Sequence, residues 1–206
     1  MNLPNKLSLM RMILVPIFMI VLVLPDTVLP LWLSALIGAV LFIVASVTDC
    51  LDGKIARKYN LITDFGKLID PLADKFMVIG ALIMILYRAQ MHRALFVLAL
   101  TVVVFRELAV TAMRLITATK SGVAVPANML GKIKTVSQIV FVIAALIEPL
   151  IYPTAEVIVQ VVPMTWLACL SDILPLTLAS GIVMAFFTVW SGIHYIVSLW
   201  KYIETK

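Results

Sequence analysis

Four aspartates carry the chemistry of this chain. They stand in Asp49-x2-Asp52-Gly53-x2-Ala56-Arg57 and, a little further on, in Gly66-x3-Asp70-x3-Asp74. The chain is otherwise 63% hydrophobic and only 13% charged, yet five of its 11 acids, these four and Asp64, fall between positions 49 and 74. Carboxylates in apolar segments are costly to bury, and by default they mark a functional site. Four together repel unless protons or cations neutralise them. An all-oxygen set suits a hard ion, Mg2+ or Mn2+, rather than zinc. Two divalent cations would balance the four charges. A two-metal site of that kind clamps a phosphate and stabilises both the attacking and the leaving oxygen. Phosphoryl transfer is therefore the chemistry to expect.

The residues between the aspartates fit a nucleotide. Gly53, Ala56 and Gly66 carry almost no side chain, so a ligand can approach the helix backbone there. Arg57 offers a planar cation to a phosphate or to one of the aspartates. The competing reading is close helix packing with buried ion pairs. That suffices for one aspartate, but not for four at these spacings with small residues interleaved.

The elements that position these residues follow from the apolar runs. A membrane-spanning helix needs about 20 apolar residues, and the 206-residue chain has room for six. The runs place spans at roughly 10–25, 31–57, 66–88, 94–119, 129–149 and 177–200, with residues 2–9 as an interfacial lead-in. Pro25, Pro30, Asn60, Gly122, Pro126, Pro149 and Pro153 punctuate the gaps. The stretch 153–175 is apolar but carries Pro153, Pro163, Asp172 and Pro175, which predicts a loop with an interfacial or re-entrant piece. No polar stretch is long enough for a soluble domain, so residues 1–206 form a single transmembrane domain.

The purely apolar run of the third span is Phe76 to Leu86. At ~1.5 Å per residue it covers roughly 16 Å, about half of the hydrocarbon thickness. That helix spans only if it includes the turns bearing Asp70 and Asp74, which lie four apart on one face. Asp49 and Asp52, three apart, share a face near the same end of the second span. The second and third spans are antiparallel neighbours in sequence, and facing each other they would unite the four carboxylates.

The formal net charge of +5 does not point to nucleic acid. All 16 Lys and Arg residues except Arg88, Arg93 and the intramembrane Arg106 fall on one side of this arrangement. The positive-inside rule then puts both termini and the acidic cluster on the cytoplasmic side of a cell membrane. Cys50 and Cys169 are far apart, and His92 and His194 are isolated, so neither a disulfide framework nor a thiol metal site is indicated. A divalent-cation transporter would need acids near mid-membrane and a path to both faces, whereas these four lie toward one face.

The aspartate pattern D-x2-D-G-x2-A-R-x8-G-x3-D-x3-D resembles the signature of the CDP-alcohol phosphotransferase family, with every fixed position present. The resemblance implies an all-α fold of six transmembrane helices, a homodimer, and displacement at the β-phosphate of a CDP-linked lipid with CMP as product. It implies that Asp49, Asp52, Asp70 and Asp74 hold two divalent cations and that Asp74 is also the general base. Asp49, Asp52, Gly53, Ala56, Arg57, Gly66 and Asp70 would then line the CDP site. The opening Pro4-Asn5-Lys-Leu7-Ser8-Leu-Met-Arg11 is similar to the family's P-N-x-L-[ST]-x2-R start, which makes Asn5 and Arg11 possible nucleotide contacts.

The acceptor is read from the basic residues further on. Arg106-Glu107 lies within the fourth span, with Arg114 eight residues later. At ~100° per residue those two arginines are about 80° apart and share a broad face. Lys132 and Lys134 open the fifth span in Gly131-Lys-Ile-Lys-Thr135-x2-Gln138. Lysines at a helix start oppose its dipole, so they either snorkel to the interface or bind phosphate. Arg106, Arg114, Lys132 and Lys134 together would make a basic pocket for an alcohol that carries its own phosphate. R-E-x6-R and G-K-x-K-T-x2-Q resemble the branch of the family that uses sn-glycerol 3-phosphate with CDP-diacylglycerol. Phosphatidylglycerol and inositol phosphate are the alternative acceptors.

Overall fold

A computed structural model describes residues 3–58, 64–88, 93–121, 129–151 and 175–204, with side chains at 6–49, 51, 69, 72–88, 96–114, 116–117, 129–151 and 175–200. Among these residues the chain is all helical. The elements are α1 (Leu3–Val23), α2 (Leu31–Lys58), α3 (Asp64–Arg88), α4 (Arg93–Ser121), α5 (Met129–Ile151) and α6 (Pro175–Glu204). The expectation for 153–175 lies outside the described residues except at Pro175, which opens α6. The lead-in is continuous with the first span, since α1 runs unbroken from Leu3 and carries Pro16 inside it. Pro149 does not end α5, which continues to Ile151. The proline forgoes the one bond its N–H would give to Ala145 O, and only two residues of helix follow it.

Five of these helices are long and apolar enough to cross a membrane. The exception is α3, whose first turns carry Asp70, Asp74 and Lys75 and whose last carries Arg88. The burial pattern also suits a bilayer, because the surface is oily and the polar groups point inward. Phe105 is 70% exposed, whereas Lys134 is 4% exposed and Arg11, Gln138 and Thr188 are fully buried. Hydroxyls inside the helices bond back to their own turns. Ser46 donates to Phe42 O at 2.8 Å, and Thr111 to Glu107 O at 2.7 Å.

The core joins Val15, Phe18 and Leu22 of α1, Phe42 of α2, Met77 and Met84 of α3, and Phe141 and Leu146 of α5. Among the described residues α1 packs broadly against both α2 and α3, while α2 and α3 touch each other only slightly. This departs from the direct α2–α3 face predicted above, because α1 wedges between them. Two glycines make room for the wedge. A Cβ on Gly38 of α2 would stand 2.8 Å from Leu22 Cδ2, and one on Gly80 of α3 would stand 3.2 Å from Val15 Cγ1 and Met19 Sδ. Small residues let backbones approach in this way where lipid supplies no hydrophobic drive.

At the end of the bundle away from the aspartates, polar bonds lock the helices. Arg88 donates through Nε to Leu22 O at 3.3 Å and through Nη2 to Ser34 Oγ. Glu148, 1% exposed, accepts from Leu176 N at 2.7 Å, Thr177 N at 2.5 Å and Thr177 Oγ1 at 2.7 Å. It caps the orphan N–H groups of α6 from a neighbouring helix, and an acid there also suits the helix dipole.

Candidate active site

The last turns of α2 carry Asp49, Asp52, Gly53, Ala56 and Arg57, and the first turns of α3 carry Gly66, Asp70 and Asp74. The side chains of Asp52, Arg57, Asp70 and Asn5 lie outside the described residues, as do the surroundings of Gly53, Ala56 and Gly66. The site is therefore built from Asp49 and Asp74. Asp49, half-buried, is met by Arg11 of α1, whose guanidinium is fully buried and donates through Nη1 to Asp49 Oδ1. Arg11 thus reaches the carboxylates because α1 is wedged beside α2. A fully buried arginine is retained only with a charged partner, and Asp49 supplies one.

Asp74 stands within electrostatic reach of Asp49, Lys134, Glu107 and Arg11. Its Oδ1 is buried and has no hydrogen-bond partner among the described residues. A buried carboxylate oxygen without a donor is costly and suits a cation or a substrate hydroxyl. Among the described residues no group of three metal-ligating side chains occurs, since two of the four aspartates fall outside that set.

A second cluster lies on α4, α5 and α6. Glu107 is its hub and accepts from Lys134 Nζ and from Arg106 Nη1, the latter at 3.2 Å. Arg106 Nη2 donates to Ser191 Oγ at 2.9 Å, and Arg114 Nη2 donates to Tyr195 Oη at 2.5 Å. Three cations against one carboxylate leave the cluster positive. Lys134 joins the two clusters, being paired with Glu107 and within reach of Asp74. Gly192 lets Arg106 lie along α6, because a Cβ there would stand 3.1 Å from Arg106 Cγ.

Three of the four predicted basic residues thus gather, and Lys132 does not join them. Lys134 points inward while Lys132 is exposed. Two positions on a helix differ by about 200°, so one face cannot hold both. The exposed Lys132 is free to reach a membrane interface, as a long side chain near a helix end does. Spacing alone did not reveal Glu107 as the hub, or Ser191 and Tyr195 as partners. The available signal was a pair of polar side chains four apart in an apolar helix, one inward face of α6. Gln138, one turn beyond Lys134, is fully buried, and neither amide atom has a partner among the described residues. Between α4 and α6 a cavity of about 370 Å3 is lined mostly by apolar side chains, with Thr101, Arg106 and Thr188 as its polar points.

The chain matches the CDP-alcohol phosphatidyltransferase family over residues 1–190. It is similar to the CDP-diacylglycerol–glycerol-3-phosphate 3-phosphatidyltransferase of Bacillus subtilis strain 168, at 41% identity over 100% of this chain and 98% of the relative. The enzyme of the same name from Escherichia coli K12 is 39% identical over 68% of this chain and 73% of the relative. That of Rickettsia felis is 38% identical over 66% and 70%. Paired aspartates on two helices, a basic cluster beside them and full-length similarity agree: this multi-pass membrane protein belongs to the CDP-alcohol phosphatidyltransferase family.

Proposed function

We propose that this protein transfers the phosphatidyl group of CDP-diacylglycerol to sn-glycerol 3-phosphate, giving phosphatidylglycerophosphate and CMP. The observation that carries this reading is the adjacency of the two clusters. Asp74, with its unpartnered oxygen, lies within electrostatic reach of Lys134, and Lys134 is tied through Glu107 to Arg106. An acceptor with a hydroxyl at one end and a phosphate at the other fits such a pair of sites. Inositol itself would leave the excess positive charge around Glu107 without a second anion, at a cost in binding.

Asp49, Asp52, Asp70 and Asp74 are the residues to hold two divalent cations, Mg2+ or Mn2+, and the bare Oδ1 of Asp74 suits such an ion. When bound, the ions supply charge stabilisation to the diphosphate. Arg11 keeps Asp49 in place through their ion pair. Arg106, Arg114 and Lys134 receive the phosphate of glycerol 3-phosphate and so orient its free hydroxyl. Asp74 takes the hydroxyl proton as the oxygen attacks the β-phosphorus. A phosphorus–oxygen bond forms to the acceptor, and the bond to CMP breaks. As in other phosphoryl transfers, the protein contributes mainly positioning and charge.

By the same family likeness the enzyme works as a homodimer in the cell membrane, with its termini and active site on the cytoplasmic side. The test is CMP release by purified protein given CDP-diacylglycerol and a panel of alcohols. Glycerol 3-phosphate should support turnover. Turnover with inositol phosphate or phosphatidylglycerol, and none with glycerol 3-phosphate, would overturn the assignment.

A further inference from the structure

We infer that Tyr195 of α6 is a positioning residue for the acceptor's phosphate, acting through Arg106 and Arg114. The inference rests on the reading above that these two arginines receive a phosphomonoester. They are eight residues apart on α4, so their backbones are separated by about 12 Å along the axis. Two guanidiniums in a low-dielectric interior also repel. Yet both side chains converge on one ring. Arg114 Cζ lies 4.7 Å from the Tyr195 centroid and Arg106 Cζ lies 5.8 Å from it. Both are within cation–π range, where the negative face of the ring offsets the repulsion. The Tyr195 hydroxyl also accepts a hydrogen bond from Arg114 Nη2 at 2.5 Å.

The ring is itself held in place. Tyr195 is 2% exposed and packs in a small apolar cluster with Val110, Leu199 and Met113. From α5, Gly131 abuts it, and a Cβ there would lie 3.4 Å from Oη and 3.6 Å from Cε2. This gives the glycine of the G-K-x-K-T segment a purpose, since it lets the lysine-bearing turn close onto the tyrosine. One turn earlier on α6, Ser191 takes the other end of Arg106. A pre-formed pair of guanidiniums loses little freedom when a dianionic phosphate arrives, and that freedom is a main cost of binding. Tyr195 thus governs acceptor affinity without touching the acceptor.

The experiment measures CMP release by the full-length protein in detergent–lipid micelles, varying glycerol 3-phosphate and CDP-diacylglycerol in turn. Tyr195→Phe keeps the ring and loses the hydroxyl, whereas Tyr195→Leu loses both. The KM for glycerol 3-phosphate should rise about fivefold in the first and more than tenfold in the second. The kcat and the KM for CDP-diacylglycerol should stay within about twofold, as expected when uniform binding alone is lost. Gly131→Leu crowds the same hydroxyl from α5 and should raise the same KM, which serves if the leucine variant of Tyr195 does not fold. A parallel rise in both KM values, a fall in kcat alone, or an unchanged acceptor KM in Tyr195→Phe overturns the inference. Wild-type protein that releases no CMP with glycerol 3-phosphate overturns the acceptor reading and this inference with it. Normal wild-type turnover with an unselective variant overturns only the role of Tyr195.

Discussion

Asp74 and Arg106 sit at opposite ends of one charge network, and their variants should fail differently. Asp74→Asn keeps the size of the side chain but removes the proposed acceptor of the hydroxyl proton. Loss of a general base costs about 10²- to 10⁴-fold, so CMP release should fall by at least that range. CDP-diacylglycerol binding, followed by equilibrium binding of a radiolabelled lipid, should persist in part. Arg106→Ala removes a cation from the basic cluster and leaves Glu107 with Lys134 alone. It should raise the KM for glycerol 3-phosphate about tenfold, consistent with one charged hydrogen bond. The KM for the CDP-lipid should change much less; the reverse pattern would move Arg106 to the lipid diphosphate.

At the scale of elements, the position of α1 decides the site. The wedge brings Arg11 to Asp49, and it depends on Gly38 and Gly80. Gly38→Val would force Leu22, itself 1% exposed, out of its place. Overpacking of that kind costs about 1–3 kcal/mol, which should appear as a lower thermal unfolding midpoint in detergent. Turnover should fall as well, because the Arg11–Asp49 pair is displaced. The helices themselves were legible in the sequence, since apolar runs and prolines mark them directly. Their neighbours were not. Consecutive helices are the natural first partners, so α2 and α3 were expected to face each other. The two small residues that admit α1 carry no polarity signal of their own.

At the scale of the whole molecule, metal should matter to turnover and not to the stability of the bundle. Chelation with EDTA should abolish CMP release while leaving the unfolding temperature nearly unchanged, because helices packed on an apolar core hold the bundle together. Added Mg2+ or Mn2+ should restore turnover. Full activity after exhaustive chelation would remove the metal pair from the proposal. The bundle keeps an oily exterior and an interior threaded by polar groups. A few buried bonds, such as the Glu148 cap and the Arg88–Ser34 link, tie the helix ends. Such an interior suits a site that must place charge inside a membrane.

The six helices, the aspartate motif and the family could all be read along the chain. Each is written in local spacing: apolar length sets a span, and intervals of three and four set a helix face. Composition and the sidedness of Lys and Arg pointed to a membrane protein rather than a nucleic-acid binder. Which charges meet came from the packing of the helices. That packing drew Arg11 to Asp49, chose Lys134 over Lys132, made Glu107 the hub, and brought two arginines onto the ring of Tyr195. Those contacts join residues up to 89 positions apart (Arg106 and Tyr195). They depend on how helices rotate and approach one another, and no local period encodes that.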